Sequence, residues 1–360
     1  MSARVAQALG AVAVALAACT ADQGADAPAA EVATALPAWT YDSSMVFPAD
    51  GSLARPEDGI ALPDGRLIVS DQVHGLRLVE TDGTSKPFGD LVAAGYTHRP
   101  PSHPGGANGV SLEPGGTHLL LADVFGAAIY RVDVSTGATE KIYQHRYGIN
   151  SAVRDSRGAI WFTQSAHNTP EDGEPRLWAS VDIARAEGAL LRLAAQNGRL
   201  DPAARVLVDS MVFGNGLALD ETAGHLYVSE MLAGRVLRYR VDLDAGTVSD
   251  RTVFVDSVAA DNVELDGEGN LWLALPLMNE LLVVNTATGA RHTAFRSLTP
   301  AQEEVSAEFT RRGGAGVSRM ELFTPASWAP LPGPITGIIV GRSGPVYATG
   351  LGNALLKLSR

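Results

Sequence analysis

Cysteine is almost missing from this chain: Cys19 is the only one in 360 residues. One thiol can form no internal disulfide, so no disulfide framework holds the fold. Cationic side chains are also few, 28 Lys+Arg against 40 Asp+Glu, for a net charge of −12 with histidine neutral. That balance argues against nucleic acid and against an anionic membrane surface as partners. Aromatic residues are only 6%, and no Gly-X-Ser-X-Gly elbow occurs, which leaves serine-hydrolase chemistry without support. The apolar run at residues 6–18 is too short to cross a bilayer as a mature helix. Hydrophobic residues at 46% against 19% charged are enough to build a sizeable core.

The N-terminus reads as an export leader. Arg4 precedes the apolar run, and Leu16-Ala17-Ala18-Cys19 places small residues before a cysteine, as a bacterial lipoprotein signal does. The expectation is a signal peptide over 1–18, a lipidated Cys19, and a tether rich in Ala, Asp and Pro over 19–37. A bacterial envelope lipoprotein follows, touching membrane only through its anchor, with residues 38–360 forming a monomeric domain.

That domain repeats one phrase six times: a polar residue, a small residue, an apolar pair, an Asp/Gly turn, then a short apolar strand. The leading polar residues are Glu57, Asn108, Asn150, Asn215, Asp261 and Thr336. The turn glycine follows at the same spacing in five copies, Glu57/Gly65, Asn108/Gly116, Asn150/Gly158, Asp261/Gly269 and Thr336/Gly344, and one position later in Asn215/Gly224. A third strand follows each copy (76–80, 129–133, 189–193, 236–241, 281–285, 355–358), and weaker fourth strands such as 141–145 and 252–256 follow most. This predicts an all-β, six-bladed β-propeller. The chain stops just after the third strand of the sixth unit, so 39–46 is expected to supply the missing outer strand and close the ring with the C-terminal strand. Two longer spacings hold insertions near 165–187 and 298–332, candidates for lids or for plain surface loops.

The first strand of a propeller blade lines the axis, so the six leading residues should meet at one mouth. Two carboxylates and three carboxamides crowded together repel and go unsatisfied unless a cation sits among them. A donor set of oxygens without Cys or His selects a hard divalent ion and suits Ca²⁺ better than Mg²⁺.

These residues resemble the superfamily of six-bladed propeller hydrolases that includes gluconolactonase, regucalcin (senescence marker protein) and paraoxonase. The Glu57-Asp58 and Asp261-Asn262 pairs, with Asn215-Gly216-Leu217 and the run from Tyr227 to Ala233, look most like the paraoxonase branch. The resemblance implies one catalytic Ca²⁺ held by Glu57, Asn150, Asn215, Asp261 and Asn262. It also implies departures: paraoxonases carry His where this chain has Asn108, and an Asp of a second, structural calcium site is Ser151 here.

The expected activity is metal-assisted hydrolysis of a small-molecule lactone or ester. Asp261 would activate water, Asn108 and Thr336 would bind substrate, and His167 would stand at the rim. The rivals are a non-catalytic binding propeller of the cell envelope and non-hydrolytic chemistry like that of strictosidine synthase.

Overall fold

The computed structural model describes residue 36 and residues 38–97, 105–341 and 344–359. The expected leader, Cys19 and nearly all of the tether lie outside the described residues. Six four-stranded antiparallel sheets follow one another along the chain. Their innermost strands are Pro56–Ala61, Ala107–Leu112, Ile149–Arg154, Gly214–Asp220, Val263–Leu265 and Ile335–Val340. Each touches the innermost strand of the blades on both sides, and the sixth touches the first, so the sheets close into a ring.

The strands form where β-branched and aromatic residues alternate between turn glycines. Leu67–Asp71, Asn270–Leu275 and Val346–Gly350, the second strands of blades one, five and six, are buried along their whole length. Being covered on both faces explains their nearly continuous apolar runs. Bulky rings fill the wedges between blades: Trp161, Trp272, Tyr130 and Tyr227 are among the largest fully buried side chains. Two blades repeat one polar device inside this packing. Trp161 Nε1 donates to Asp155 Oδ2 at 2.9 Å, and Trp272 Nε1 donates to Asp266 Oδ2 at 2.9 Å. Each aspartate also accepts backbone N–H groups of its own turn, so one side chain fixes both the turn and the buried indole.

The ring is closed by both chain ends. Val46–Phe47 pairs antiparallel with Leu355–Leu358 and supplies the outer strand of blade six. Only the end of the expected donor segment does this. Trp39 instead forms a parallel bridge to Phe295 on the outer strand of blade five. Its indole donates to Ser359 O at 2.6 Å and lies 6.5 Å from the Trp272 ring. The N-terminal segment therefore straps two neighbouring blades.

Both insertions carry helices. In blade three α1 spans Gly173–Asp182, and between blades five and six α2 spans Pro300–Gly314. Asp182 Oδ1 accepts from Ser318 Oγ and from the backbone N–H groups of Arg319 and Met320, at 2.9, 2.7 and 2.8 Å. Buried Arg319 donates through Nε to Val181 O at 2.9 Å and lies 4.5 Å over the Phe309 ring. The end of α1, the face of α2 and the segment after it are thus tied together. No helix among the described residues is long and apolar enough to cross a membrane.

Candidate active site

The six leading residues converge. Glu57, Asn108, Asn150, Asn215, Asp261 and Thr336 all line one chamber, and all are buried. A local irregularity explains why their side chains leave the pleat. The strand register slips at Pro56/Asp58, Ala107/Val110, Ile149/Ala152, Gly214/Leu217 and Ile335/Gly337, each time across the leading residue. A bulge adds a residue on one strand and re-aims its side chain, here towards the axis. In blade five the regular strand begins only at Val263, and Asp261 sits in the irregular stretch before it.

Glycines next to the bulges let the blades meet. A Cβ on Gly216 would lie 2.6 Å from Asn262 Cα, and one on Gly337 would lie 2.5 Å from Glu57 O. At these two positions backbone meets backbone of the next blade, and no other residue fits without displacing it.

Glu57 is the most connected member of the ring. Thr336 Oγ1 donates to its Oε2 at 2.8 Å, and Asn262 Nδ2 reaches its Oε1 at 3.5 Å. Asn262 is buried beside the chamber rather than on its wall, and its backbone N–H donates to Thr336 O. Asn108 is committed on both sides: Gln72 Nε2 donates to its Oδ1 at 2.9 Å, and its own Nδ2 donates to Asn150 O at 3.1 Å. By contrast Asn150 Oδ1 and Asn215 Oδ1 are buried acceptors with no partner.

The electrostatics repeat this imbalance. Burial pushes the Glu57 carboxyl up to about 7, against the Thr336 hydrogen bond and the Arg55 charge. Burial, and then the charge of Glu57, hold the Asp261 carboxyl well above the usual range, although Asn215 donates to it. Asp58 is pushed up to about 8 by burial while its Oδ2 accepts the Val110 N–H at 2.8 Å. Glu264, further along the blade-five strand, is raised by burial and then by Asp58. Carboxyls concentrated away from water, with Arg55 as the nearby cation and that one already paired with Glu174, are shifted towards their protonated forms. A cation would reverse that preference and occupy the two orphan oxygens as well.

Several chamber residues carry no signal in the repeat. Gln72 follows the second strand of blade one. Arg55 precedes Glu57, with φ 58°, and its Nη1 pairs with Glu174 Oε1 at 2.7 Å. Trp178 donates to the same oxygen at 2.8 Å. Their adjacency to Glu57 and to the α1 insertion was the only available clue. His167 is placed elsewhere: it is exposed, stacks on Tyr147 at 4.4 Å between ring centres, and does not line the chamber. Ser151 is buried next to Asn150 and adds no carboxylate. Among the described residues no three His, Cys, Asp or Glu side chains cluster as a metal site, so any cation here would depend on the carboxamides.

A closed six-bladed ring with polar residues converging at its axis defines a class of propeller in which a site is built from every blade. Comparison with known proteins supports the propeller fold. Residues 136–306 match the family model described as the SMP-30/gluconolactonase/LRE-like region. A gluconolactonase from Xanthomonas campestris superposes with a TM-score of 0.57 at 18% identity, covering 86% of this chain and 87% of the other. A calcium-binding regucalcin from Agrobacterium tumefaciens gives 0.55 at 14% identity, over 87% and 86%. In sequence, Hemomucin, an adipocyte plasma membrane-associated protein of Drosophila melanogaster, is 27% identical over 182 residues, 46% of this chain and 29% of its own length. An uncharacterized protein of Sulfolobus acidocaldarius is 35% identical over 75 residues, 20% of this chain and 27% of its own length. The chain thus aligns with less than a third of the length of these curated relatives.

Proposed function

We propose that the protein is a Ca²⁺-dependent hydrolase of lactones or esters, with the ring at the propeller axis as its active site. One observation carries the reading: Asn150 Oδ1 and Asn215 Oδ1 stand buried and unpartnered beside two carboxyls whose pKa burial raises. Oxygen donors of this kind, two charged and the rest carboxamide, fit a single hard cation. Glu57, Asn150, Asn215 and Asp261 would hold it, with Thr336 and Asn262, which lies behind the wall, orienting Glu57. The bound ion would supply charge neutralisation and Lewis acidity towards a carbonyl oxygen. The kinship with a calcium-binding regucalcin and with a gluconolactonase supports the reading at the level of fold.

The chain's own groups have separate tasks. Asp261 borders both the chamber and the other donors, so its carboxylate is placed to take the proton of the water that adds to the substrate carbonyl. Asn108 keeps one Nδ2 hydrogen for the substrate after bonding to Asn150 O. Thr336 has given its hydroxyl proton to Glu57 and can only accept. Gln72 holds Asn108 in place. The test is metal analysis of the purified protein, with lactone and arylester turnover before and after chelation. Full turnover and an unchanged melting temperature in the chelated protein would remove the hydrolase reading and favour a propeller that only binds.

Localisation is part of the same proposal. The Leu16–Cys19 sequence supports reading the chain as a lipoprotein of the bacterial envelope. Cys19→Ser is expected to move the protein from the membrane fraction to the soluble fraction, and retention in membranes would refute the anchor.

A further inference from the structure

Among the described residues one cationic side chain lines the chamber, and it stands on a strained backbone. Arg55 has φ 58°, in the left-handed region that glycine enters freely and other residues enter at a cost. Hydrogen bonds hold it there on both sides. Its N–H donates to Gly352 O at 2.7 Å, and its carbonyl accepts the Gln72 N–H at 3.2 Å. Strain kept in this way gathers where function needs a particular direction, and here it brings a guanidinium to the chamber two residues before Glu57. The wall around it is apolar: Leu177 on α1, Phe309 on α2 and Phe323 beyond it line the same space as Phe125 and Phe213.

We propose that Arg55 binds a carboxylate of the ligand, on the part of its guanidinium that Glu174 leaves open. The proposal rests on the hydrolase reading for the source of that group, which is either the acid that hydrolysis forms or a second acid group carried by the substrate. Arg55 reaches Glu174 Oε1 through Nη1 alone, at 2.7 Å, and this oxygen also takes the Trp178 indole N–H. Side-chain exposures of 24% and 27% make the pair a wet one, worth little by itself. A guanidinium has five N–H donors in a planar fork that matches two carboxylate oxygens at once, so one committed nitrogen leaves room for an anion. In apolar surroundings such a charge-assisted bond gains strength, and an anion that missed it would be buried unpaired. An amide or ester oxygen in the same place would use the donors without the charge.

Calorimetry on the full chain with saturating calcium compares butanoate with the uncharged butanamide. Calcium is present throughout, so the reading is the change in preference between wild type and variant. Butanoate is expected to bind the wild type about tenfold or more tightly than the amide, and Arg55→Gly to reduce that preference by about tenfold or more. Glycine takes φ 58° without strain, so the melting temperature should hold. Arg55→Lys keeps the charge and loses the fork, and its preference should fall between the two. Equal binding of both ligands by the wild type, or an unchanged preference in either variant, would overturn the proposal and leave Arg55 a strut. Turnover then tells the sources apart. A kcat/KM for monomethyl glutarate above that for the dimethyl ester, lost in Arg55→Gly, places the carboxylate on the substrate. Inhibition of methyl butanoate turnover by butanoate, relieved in Arg55→Gly, places it on the product. If no lactone or ester is turned over, the hydrolase reading falls and the calorimetry alone decides the role of Arg55.

Discussion

Thr336 Oγ1 donates to Glu57 Oε2 across 279 residues of sequence, and in doing so joins the last blade to the first at the propeller axis. The bond lies where the ring closes, so it serves the site and the seam together. Losing the donor strands a buried carboxylate oxygen. Thr336→Val is expected to cost about 1–3 kcal/mol in chemical denaturation. It should also weaken calcium binding, since Glu57 would no longer be oriented. Wild-type stability and affinity in the variant would show that the contact does neither.

The two ring carboxylates should respond differently to neutral replacement. Glu57→Gln removes a charge from the donors alone, so turnover should return when calcium is raised. Asp261→Asn removes the proton acceptor too, so turnover should stay lost at saturating calcium. A ligand at 100 times its Kd stabilises the native state by about 2.7 kcal/mol. Thermal scans with and without calcium will therefore report occupancy in each variant independently of turnover. Recovery of Asp261→Asn activity at high calcium would assign water activation elsewhere.

Ring closure predicts a contrast between truncations. Removing the chain through Phe47 strips blade six of its outer strand and removes the Trp39 strap. An exposed strand edge and a lost indole packing site should lower the melting temperature and promote aggregation. Deleting 20–35 should do neither. Equal melting curves would mean the ends do not hold the ring.

His145 sets a pH dependence away from the axial ring. Its Nδ1 faces Tyr143 Oη at 3.1 Å, its Nε2 faces Gln164 Oε1 at 3.2 Å, and burial lowers its pKa in opposition to the Gln164 bond. A neutral ring donating from Nε2 satisfies both partners. The unfolded chain takes up this proton near 6.5 and the folded protein only at lower pH. Stability is therefore fully present above about 6.5 and declines as pH falls towards the lowered folded value. His145→Gln should shallow that decline in denaturation curves taken between pH 7 and 5. An identical slope in both proteins would locate the sensitive group elsewhere.

The ring was legible because six copies of one phrase put Glu57, Asn108, Asn150, Asn215, Asp261 and Thr336 in register, and a bulge recurs at most of those points. The second and third strands were legible through their apolar runs. What escaped belongs to single copies. Helix α2 carried its own signals, with Thr299 and Gln302 forming a capping box, Pro300 in the first turn and Arg311 and Arg312 in the last. Against the repeat, that stretch reads only as an insertion, a candidate lid or a plain surface loop, and not as a helix. The chamber wall escaped for a stronger reason: Phe309, Phe323 and Leu177 meet Phe125 and Phe213 only through tertiary packing that no spacing records. Trp39 was expected in the closing strand of blade six, but its indole fits against Trp272 and Ser359 O, and packing prevailed over simple pairing.

The glycine contacts between blades carry a consequence for how this site tolerates change. Where Gly216 abuts Asn262 Cα and Gly337 abuts Glu57 O, the aperture at the axis is set by main chain, not by any replaceable side chain. Donor identity can then drift from blade to blade, Glu to Asn to Asp to Thr, while the spacing among them stays constant. A single methyl at Gly337 would act as a wedge between first and last blades, spreading the whole circle of donors without touching one of them.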